Sequence, residues 1–280
     1  MSVLLGFVVG LLTVRLFVGA SHELLRAPAL HRENHRGSAV PTAMGVFAVL
    51  AVVVIEGGRS VFAAFGVGDA ASGSARVLVL LACAGFGLLG LFDDLVGTQS
   101  DHGFRGHLGA LAHGRITTGF VKIVGGIAIA FVLVSANRGV DVSGARVIAD
   151  AVLVALAANL ANLFDRAPGR AIKIGLVAWI PLALLARTDA VGVAIAPVVG
   201  AFTGLLGDDL HERLMLGDTG ANVIGAVLGL AVVLECDATT RTTVLVALAA
   251  LTFASEIVSF SRVIERVPVL RRLDEFGRGA

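Results

Sequence analysis

Nine apolar runs, each long enough to cross a bilayer, constrain this chain more than any other feature of its sequence. A membrane helix needs roughly 17–25 mostly apolar residues, and the 280-residue chain offers candidate spans at about 2–20, 40–56, 76–92, 118–136, 147–164, 172–187, 190–207, 219–236 and 241–260. The chain is 56% hydrophobic and only 15% charged, whereas a soluble domain is about 45–50% apolar and about 25% charged. We therefore predict an all-α, polytopic integral membrane protein with about nine transmembrane helices, forming a single domain over residues 1–280.

The first apolar run resembles a signal peptide, but its flanking charges favour a retained membrane span. A signal peptide begins with a positively charged segment, and no basic residue precedes the run from Val3 to Val14. Arg15 and a basic loop follow it instead. We expect the first span to stay in the mature protein.

The basic residues predict an orientation for these spans. If the loop at 21–39 is cytoplasmic, fifteen of the 22 lysines and arginines lie on the cytoplasmic side and six on the opposite side. Cytoplasmic loops of membrane proteins carry an excess of Lys and Arg. The N-terminus is then expected outside and the C-terminus inside, in the cell (plasma) membrane, with a cytoplasmic tail at 261–280.

Three short acidic clusters lie at span ends on the predicted cytoplasmic side, and they contain Asp93-Asp94, Asp165 and Asp218. Carboxylates placed repeatedly beside hydrocarbon usually mark a functional site. Carboxylate oxygens suit Mg²⁺ bound together with substrate phosphates. The ordinary structural interpretation is a solvated loop for the Asp pair and a helix cap for Asp218. Asp208-Asp209 lie just upstream and could support Asp218 as a metal ligand.

Cations and amides lie beside these carboxylates. Lys122 begins the fourth span, where it suits a substrate phosphate or snorkels to the surface. Asn159, Asn162 and Asp165 are spaced three apart, so they can share a helix face, although asparagines also hold helices together. The turn that follows places Gly169 among three cations: Arg166, Arg170 and Lys173. These cations are suited to holding a diphosphate. The alternative interpretation is that they only reflect the excess of basic residues in cytoplasmic loops.

In this order, the motifs resemble those of the polyprenyl-phosphate N-acetylhexosamine-1-phosphate transferases. The similar segments are Phe92-Asp93-Asp94, Asn162-Leu163-Phe164-Asp165, Gly217-Asp218-Thr219-Gly220 and the loop around Pro41-Thr42. They cover about residues 36–230. The family includes phospho-N-acetylmuramoyl-pentapeptide transferase and the undecaprenyl-phosphate GlcNAc-1-phosphate transferases.

The resemblance implies a reaction and a role for each residue. A polyprenyl phosphate would attack a UDP-amino sugar, giving polyprenyl-diphospho-sugar and UMP for cell-envelope polysaccharide synthesis, with Mg²⁺ required. Asp93 and Asp94 would act on the lipid phosphate and at the metal, and Asp218 would hold Mg²⁺. Asp165 would assist the chemistry, and the substrate-binding residues would be Lys122, Asn159, Asn162, Gly169, Arg170 and Lys173. The expected partners are these two substrates and the membrane, with a homodimer as a possible assembly and no nucleic acid.

The chain also departs from the family pattern. The lysine expected after the Asp pair is missing, because Val96-Gly97 follow Leu95, and Pro168 stands where a second aspartate is often found. A late histidine-rich motif is absent from the sequence. These departures leave open a non-catalytic member that binds lipid or acts as a scaffold. A small-solute transporter is the third possibility, although transporters favour binding groups near the bilayer midplane.

Overall fold

A computed structural model describes residues 2–34, 36–67, 73–97, 116–137, 142–186 and 189–278. Within these ranges the chain forms nine long helices, two short C-terminal helices, one small hairpin and two short 3₁₀ helices, Leu24–Arg26 and Pro28–Leu30. The helices are α1 (Val3–Ala20), α2 (Gly45–Ala64), α3 (Gly73–Val96), α4 (Thr118–Ala136), α5 (Gly144–Phe164), α6 (Arg170–Ala186), α7 (Ala190–Leu210), α8 (Gly217–Glu235), α9 (Ala238–Ser255), α10 (Phe260–Arg266) and α11 (Pro268–Glu275).

Each predicted span coincides with one of the nine long helices, which confirms the all-α, polytopic class. Eight of them are long and apolar enough to cross a membrane. The other is α6, which has 17 residues and contains Pro181. Side-chain caps fix several helix starts, because an oxygen there accepts an otherwise unpaired backbone N–H. The capping residues are Ser2, Thr117, Ser143, Asp189 and Asp237.

The second helix differs most from its predicted bounds of 40–56. Residues Ala39–Pro41 form a strand that pairs antiparallel with His31–Glu33, and Ala43 has a positive φ of 64°, so the helix begins only at Gly45. It continues past Glu56 to Ala64. Glu56, the last residue of the predicted span, is buried and paired with Arg59 and, at 2.5 Å, with Arg76.

Helices α7 and α8 form the centre of the bundle. Both are largely buried, α1 packs along α7, and α8 lies between α3 and α5. In contrast, α9 has no buried residue and packs against α5 at the periphery. This arrangement brings the N-terminus of α8 to the same end of the bundle as the C-termini of α3 and α5 and the N-terminus of α4.

The orientation of the bundle in the membrane is the first testable prediction. In a Cys236→Ser background, in which Cys83 is buried, we expect Val142→Cys to react with a membrane-impermeant maleimide on intact cells. His211→Cys should react only after permeabilisation, because it lies at the end predicted to be cytoplasmic. Both positions are exposed. Equal labelling of the two in intact cells, or the reverse order, would contradict this orientation.

Candidate active site at the helix ends

Glycines allow the helices that carry the acidic motifs to approach closely. A Cβ atom on Gly45 would lie 2.2 Å from the Cα of Gly220, so α2 and α8 meet where neither has a side chain. A Cβ on Gly90 would lie 2.4 Å from the carbonyl oxygen of Asp218. Small residues permit such close backbone contact between membrane helices. The first turn of α8 is therefore held against the last turns of α3.

Asp94 joins α3 to the N-terminus of α8. Its carboxylate accepts hydrogen bonds from the backbone N–H of Asp218 at 2.9 Å, and from the backbone N–H and the hydroxyl of Thr219 at 2.9 and 2.6 Å. A carboxylate is favourable at this position, because the positive end of the helix dipole lies there. Both oxygens of Asp94 are thus engaged in placing Asp218, whereas the sequence suggested a catalytic or metal-binding carboxylate.

Lys122 links the same two acidic motifs through Asp93 and Asp218. Its ammonium lies 3.3 Å from Oδ2 of Asp93 and also forms an ion pair with Oδ2 of Asp218. The Lys122 side chain is only 22% exposed, so it turns into the cluster rather than snorkelling to the surface. We refer to Asp93, Lys122, Asn162 and Asp218 as the central cluster.

Asn162 completes the central cluster, and Asp165 lies beside it. The amide of Asn162 donates a hydrogen bond of 3.1 Å to Oδ2 of Asp218. Asp165 follows the last residue of α5. Removal from water raises the pKa of the Asp165 carboxyl well above its usual range, and the negative charges of Asp209, Asp218 and Asp94 act in the same direction.

Asn159 does not join this group. It is exposed, and its side chain forms no hydrogen bond with any residue in the described ranges. Side chains three residues apart on an α-helix differ in direction by about 60° around the helix axis. Two such steps separate Asn159 from Asp165, so the two side chains point in clearly different directions. The predicted substrate contact of Asn159 therefore stays a prediction that this geometry does not support.

The cations after Asp165 have partners that the sequence analysis did not foresee. Arg170 is buried and forms two hydrogen bonds with the carboxylate of Asp274, at 2.7 and 2.8 Å. Lys173 donates to the backbone carbonyl groups of Leu273 and Phe276, both at 3.2 Å. These two cations hold the C-terminal segment in this structure. Arg170 and Lys173 therefore cannot bind a diphosphate, as predicted, while these contacts are made. Such binding would require the C-terminal segment to move away from the two cations.

Asp209, which the sequence analysis considered as a support for Asp218 at a metal, binds backbone groups instead. Its carboxylate accepts the backbone N–H of Gly169 at 2.9 Å and that of Leu216 at 3.2 Å. It therefore ties the turn after Asp165 to the loop before Asp218, and Gly169 contributes a positive φ of 69° to that turn. Asp208, its neighbour, pairs with Arg15 and Arg213. The only sequence signal for this role of Asp209 was that Asp208-Asp209 form a pair at the end of a predicted span.

Few carboxylate side chains in this site are placed so that they could bind a metal ion together. Across the described residues, no three His, Cys, Asp or Glu side chains are grouped to hold a metal ion. Asp93 and Asp218 each direct an oxygen to the same point, where the Lys122 ammonium lies. Mg²⁺ is commonly held by one or two carboxylates together with substrate phosphates. Two carboxylates fit an ion that is bound jointly with a diphosphate substrate.

The second prediction concerns the contact between Arg170 and Asp274. Breaking a buried ion pair costs about 3–5 kcal/mol, and the two side chains are 5% and 9% exposed. We expect Asp274→Asn to release the C-terminal segment and to speed deuterium uptake across residues 260–276. The matched control is Glu275→Gln, which is exposed, and its exchange should be unchanged. Equal exchange in both variants would contradict a docked segment.

The same contact should respond to acid. Burial acts to raise the pKa of Asp274, but the hydrogen bonds and charge of Arg170 and the charge of Arg278 outweigh it, so this pKa is lowered. A lowered folded-state pKa gives stability above the unfolded-state value of about 3.9, which is lost as the pH falls. The wild-type segment should approach the exchange of Asp274→Asn only below about pH 4.

Two known proteins are similar to this chain. No family model matches the chain. The chain is 29% identical to the phospho-N-acetylmuramoyl-pentapeptide-transferase of Deinococcus radiodurans over 204 residues. This aligned region covers 70% of this chain and 62% of that protein. It is 24% identical to the protein of the same name from Halalkalibacterium halodurans over 244 residues. This second aligned region covers 81% of this chain and 72% of that protein.

The match spans somewhat less than two thirds of the length of the Deinococcus radiodurans relative. Both matches must include much of the region that carries the acidic motifs, because they cover 70% and 81% of this chain. The chain is therefore similar, over most of its length, to two phospho-N-acetylmuramoyl-pentapeptide-transferases, at 24–29% identity.

Proposed function

We propose that this protein transfers a sugar-1-phosphate from a UDP-amino sugar to polyprenyl phosphate, giving a polyprenyl-diphospho-sugar and UMP for cell-envelope polysaccharide synthesis. The observation that carries the proposal is the central cluster, in which a lysine and two aspartates from three membrane helices meet at one end of the bundle. The relatives support it, because both are named as phospho-N-acetylmuramoyl-pentapeptide transferases.

In this reaction an oxygen of the lipid phosphate forms a bond to the β-phosphorus of the UDP-sugar. The bond from that phosphorus to the oxygen bridging the α- and β-phosphates breaks, and UMP leaves with the electron pair. Phosphoryl transfer depends mainly on positioning and on neutralising charge. Lys122 supplies a fixed positive charge, and Asp93 orients the attacking phosphate or accepts its proton. Asn162 offers an amide to the nucleotide sugar.

Asp165 lies beside the cluster, where the nucleotide sugar can reach it. Its raised pKa favours the protonated carboxyl, which can give its proton to an oxygen of the departing UMP. Mg²⁺, when bound, would neutralise charge on the diphosphate, with Asp218 and Asp93 as its protein ligands. Asp94 then acts through the position of Asp218, since both of its oxygens are engaged by the first turn of α8.

The alternative is a non-catalytic member that binds lipid or acts as a scaffold. Its support is that Arg170 and Lys173, which would otherwise be free to hold a diphosphate, are engaged by the C-terminal segment. A small-solute transporter fits less well. The central cluster lies at the ends of α3, α4, α5 and α8 rather than in their middle, whereas transporter sites lie near the midplane.

Release of UMP tests the proposal against the alternative. Purified protein in detergent is incubated with undecaprenyl phosphate, Mg²⁺ and each of several UDP-amino sugars. We expect UMP release with at least one donor and none when the lipid phosphate or Mg²⁺ is omitted. Protein that is folded by thermal shift but releases no UMP with any donor would support the scaffold alternative.

A further inference from the structure

The C-terminal helix α11 is fixed beside the N-terminal end of α6, which is the sixth span predicted from the sequence. Arg170 binds the carboxylate of Asp274, and Lys173 binds carbonyl groups at the end of α11. Both cations belong to the first turn of α6, which starts at Arg170. In addition, the guanidinium of Arg278 donates to the carbonyl of Pro168 at 3.0 Å. α11 therefore lies beside the end of α6 rather than projecting freely into water.

The helix has two chemically different flanks on either side of Asp274. Its large side chains on one flank are exposed by 66% at Val269, 41% at Leu270, 64% at Leu273 and 78% at Phe276. With about 100° of rotation per residue, these four lie on one side of the docked Asp274. Arg271 and Glu275 lie on the other side, and Arg272 borders the apolar flank.

We propose that α11 lies in the membrane interface, with its apolar flank in contact with lipid and Arg272 at the level of the phospholipid headgroups. A helix with one apolar and one charged flank is suited to this position, and arginine at the border between them interacts with anionic headgroups. The ion pair with Arg170 fixes the depth of the helix, and that depth places the apolar flank beside hydrocarbon. This inference is independent of the proposed transferase activity.

A tryptophan probe tests the placement, because Trp179 is the only tryptophan in the chain. Trp179→Phe retains a ring that can stack on Phe7, as Trp179 does with a centroid separation of 6.0 Å. In this background Leu273→Trp gives the apolar-flank probe, and Glu275→Trp gives the matched charged-flank probe. Each full-length variant is reconstituted in phosphatidylcholine and phosphatidylglycerol vesicles that contain lipids brominated at a shallow or a deep position.

We expect blue-shifted emission from the apolar-flank probe, with stronger quenching by shallow than by deep bromine. The emission of the charged-flank probe should stay typical of water and should not be quenched. Adding Arg272→Gln should weaken the quenching of the apolar-flank probe in vesicles rich in phosphatidylglycerol.

Unquenched, water-like emission from the apolar-flank probe would overturn the proposal, as would equal quenching of the two probes. Blue-shifted emission without quenching would also overturn it, since that would indicate coverage by protein, such as a second copy of this chain.

Discussion

Replacing Lys122 with alanine is expected to lower turnover by about 10²- to 10³-fold, the range found when one fixed electrostatic group is removed from an active site. The ammonium of Lys122 lies between Asp93 and Asp218. Without it, the two carboxylates would repel each other and would also repel an incoming diphosphate. Initial rates of UMP release at saturating Mg²⁺ measure the effect.

Two further variants control this experiment. Lys122→Arg keeps the charge and should recover part of the activity, although the planar guanidinium cannot replace the ammonium fully. Arg262→Ala removes an exposed cation that forms no ion pair with any residue in the described ranges, and it should have little effect. Arg59 is predicted to lie on the opposite side of the membrane but is unsuitable as a control, because it pairs with buried Glu56. Similar small losses in Lys122→Ala and Arg262→Ala would remove Lys122 from the site.

Asp165→Asn should lower turnover by about 10²- to 10⁴-fold, the contribution typical of a group that takes part in proton transfer. The exchange keeps the size of the side chain and its capacity for hydrogen bonds, but it removes the ionisable proton. Asp165 lies among the carboxylates of Asp209, Asp218 and Asp94, which favour its protonated form. An asparagine adds no charge there, so the protein should stay folded.

A thermal-shift measurement separates folding from catalysis in this variant. The melting temperature of Asp165→Asn should match or exceed that of the wild type, while the rate of UMP release falls. Glu265→Gln, which alters an exposed carboxylate, should change neither quantity. Wild-type turnover in Asp165→Asn would exclude Asp165 from the chemistry but would leave the proposed transferase function intact.

The helical architecture could be predicted because it depends on local composition. A run of about 17–25 apolar residues satisfies its backbone hydrogen bonds as a helix in the membrane, and each of the nine runs forms one. The start of α2 was predicted poorly, since it depends on pairing between Ala39–Pro41 and His31–Glu33. The end of α2 was missed for a similar reason, because the partner of Glu56 at Arg76 is remote in sequence.

The central cluster could be foreseen in part. Acidic residues at span ends on one predicted side correctly indicated which segments meet. The partner of each side chain could not be read from its own motif. Asp94 binds backbone groups of α8, and Arg170 binds a carboxylate 104 positions away in the tail. Such long-range partners decide whether a cation is available to a substrate, and local sequence contains no signal for them.

The fate of the β-phosphate tests the central claim of this account most directly. UDP-N-acetylglucosamine and UDP-N-acetylmuramoyl-pentapeptide, each radiolabelled in the β-phosphate, are incubated with the protein, polyprenyl phosphate and Mg²⁺, and the products are separated into lipid and water. The account predicts that label from at least one donor moves into the lipid fraction, while unlabelled UMP appears in equal amount. Label that stays in the UDP-sugar with both donors, or that appears as a water-soluble sugar phosphate, would contradict it.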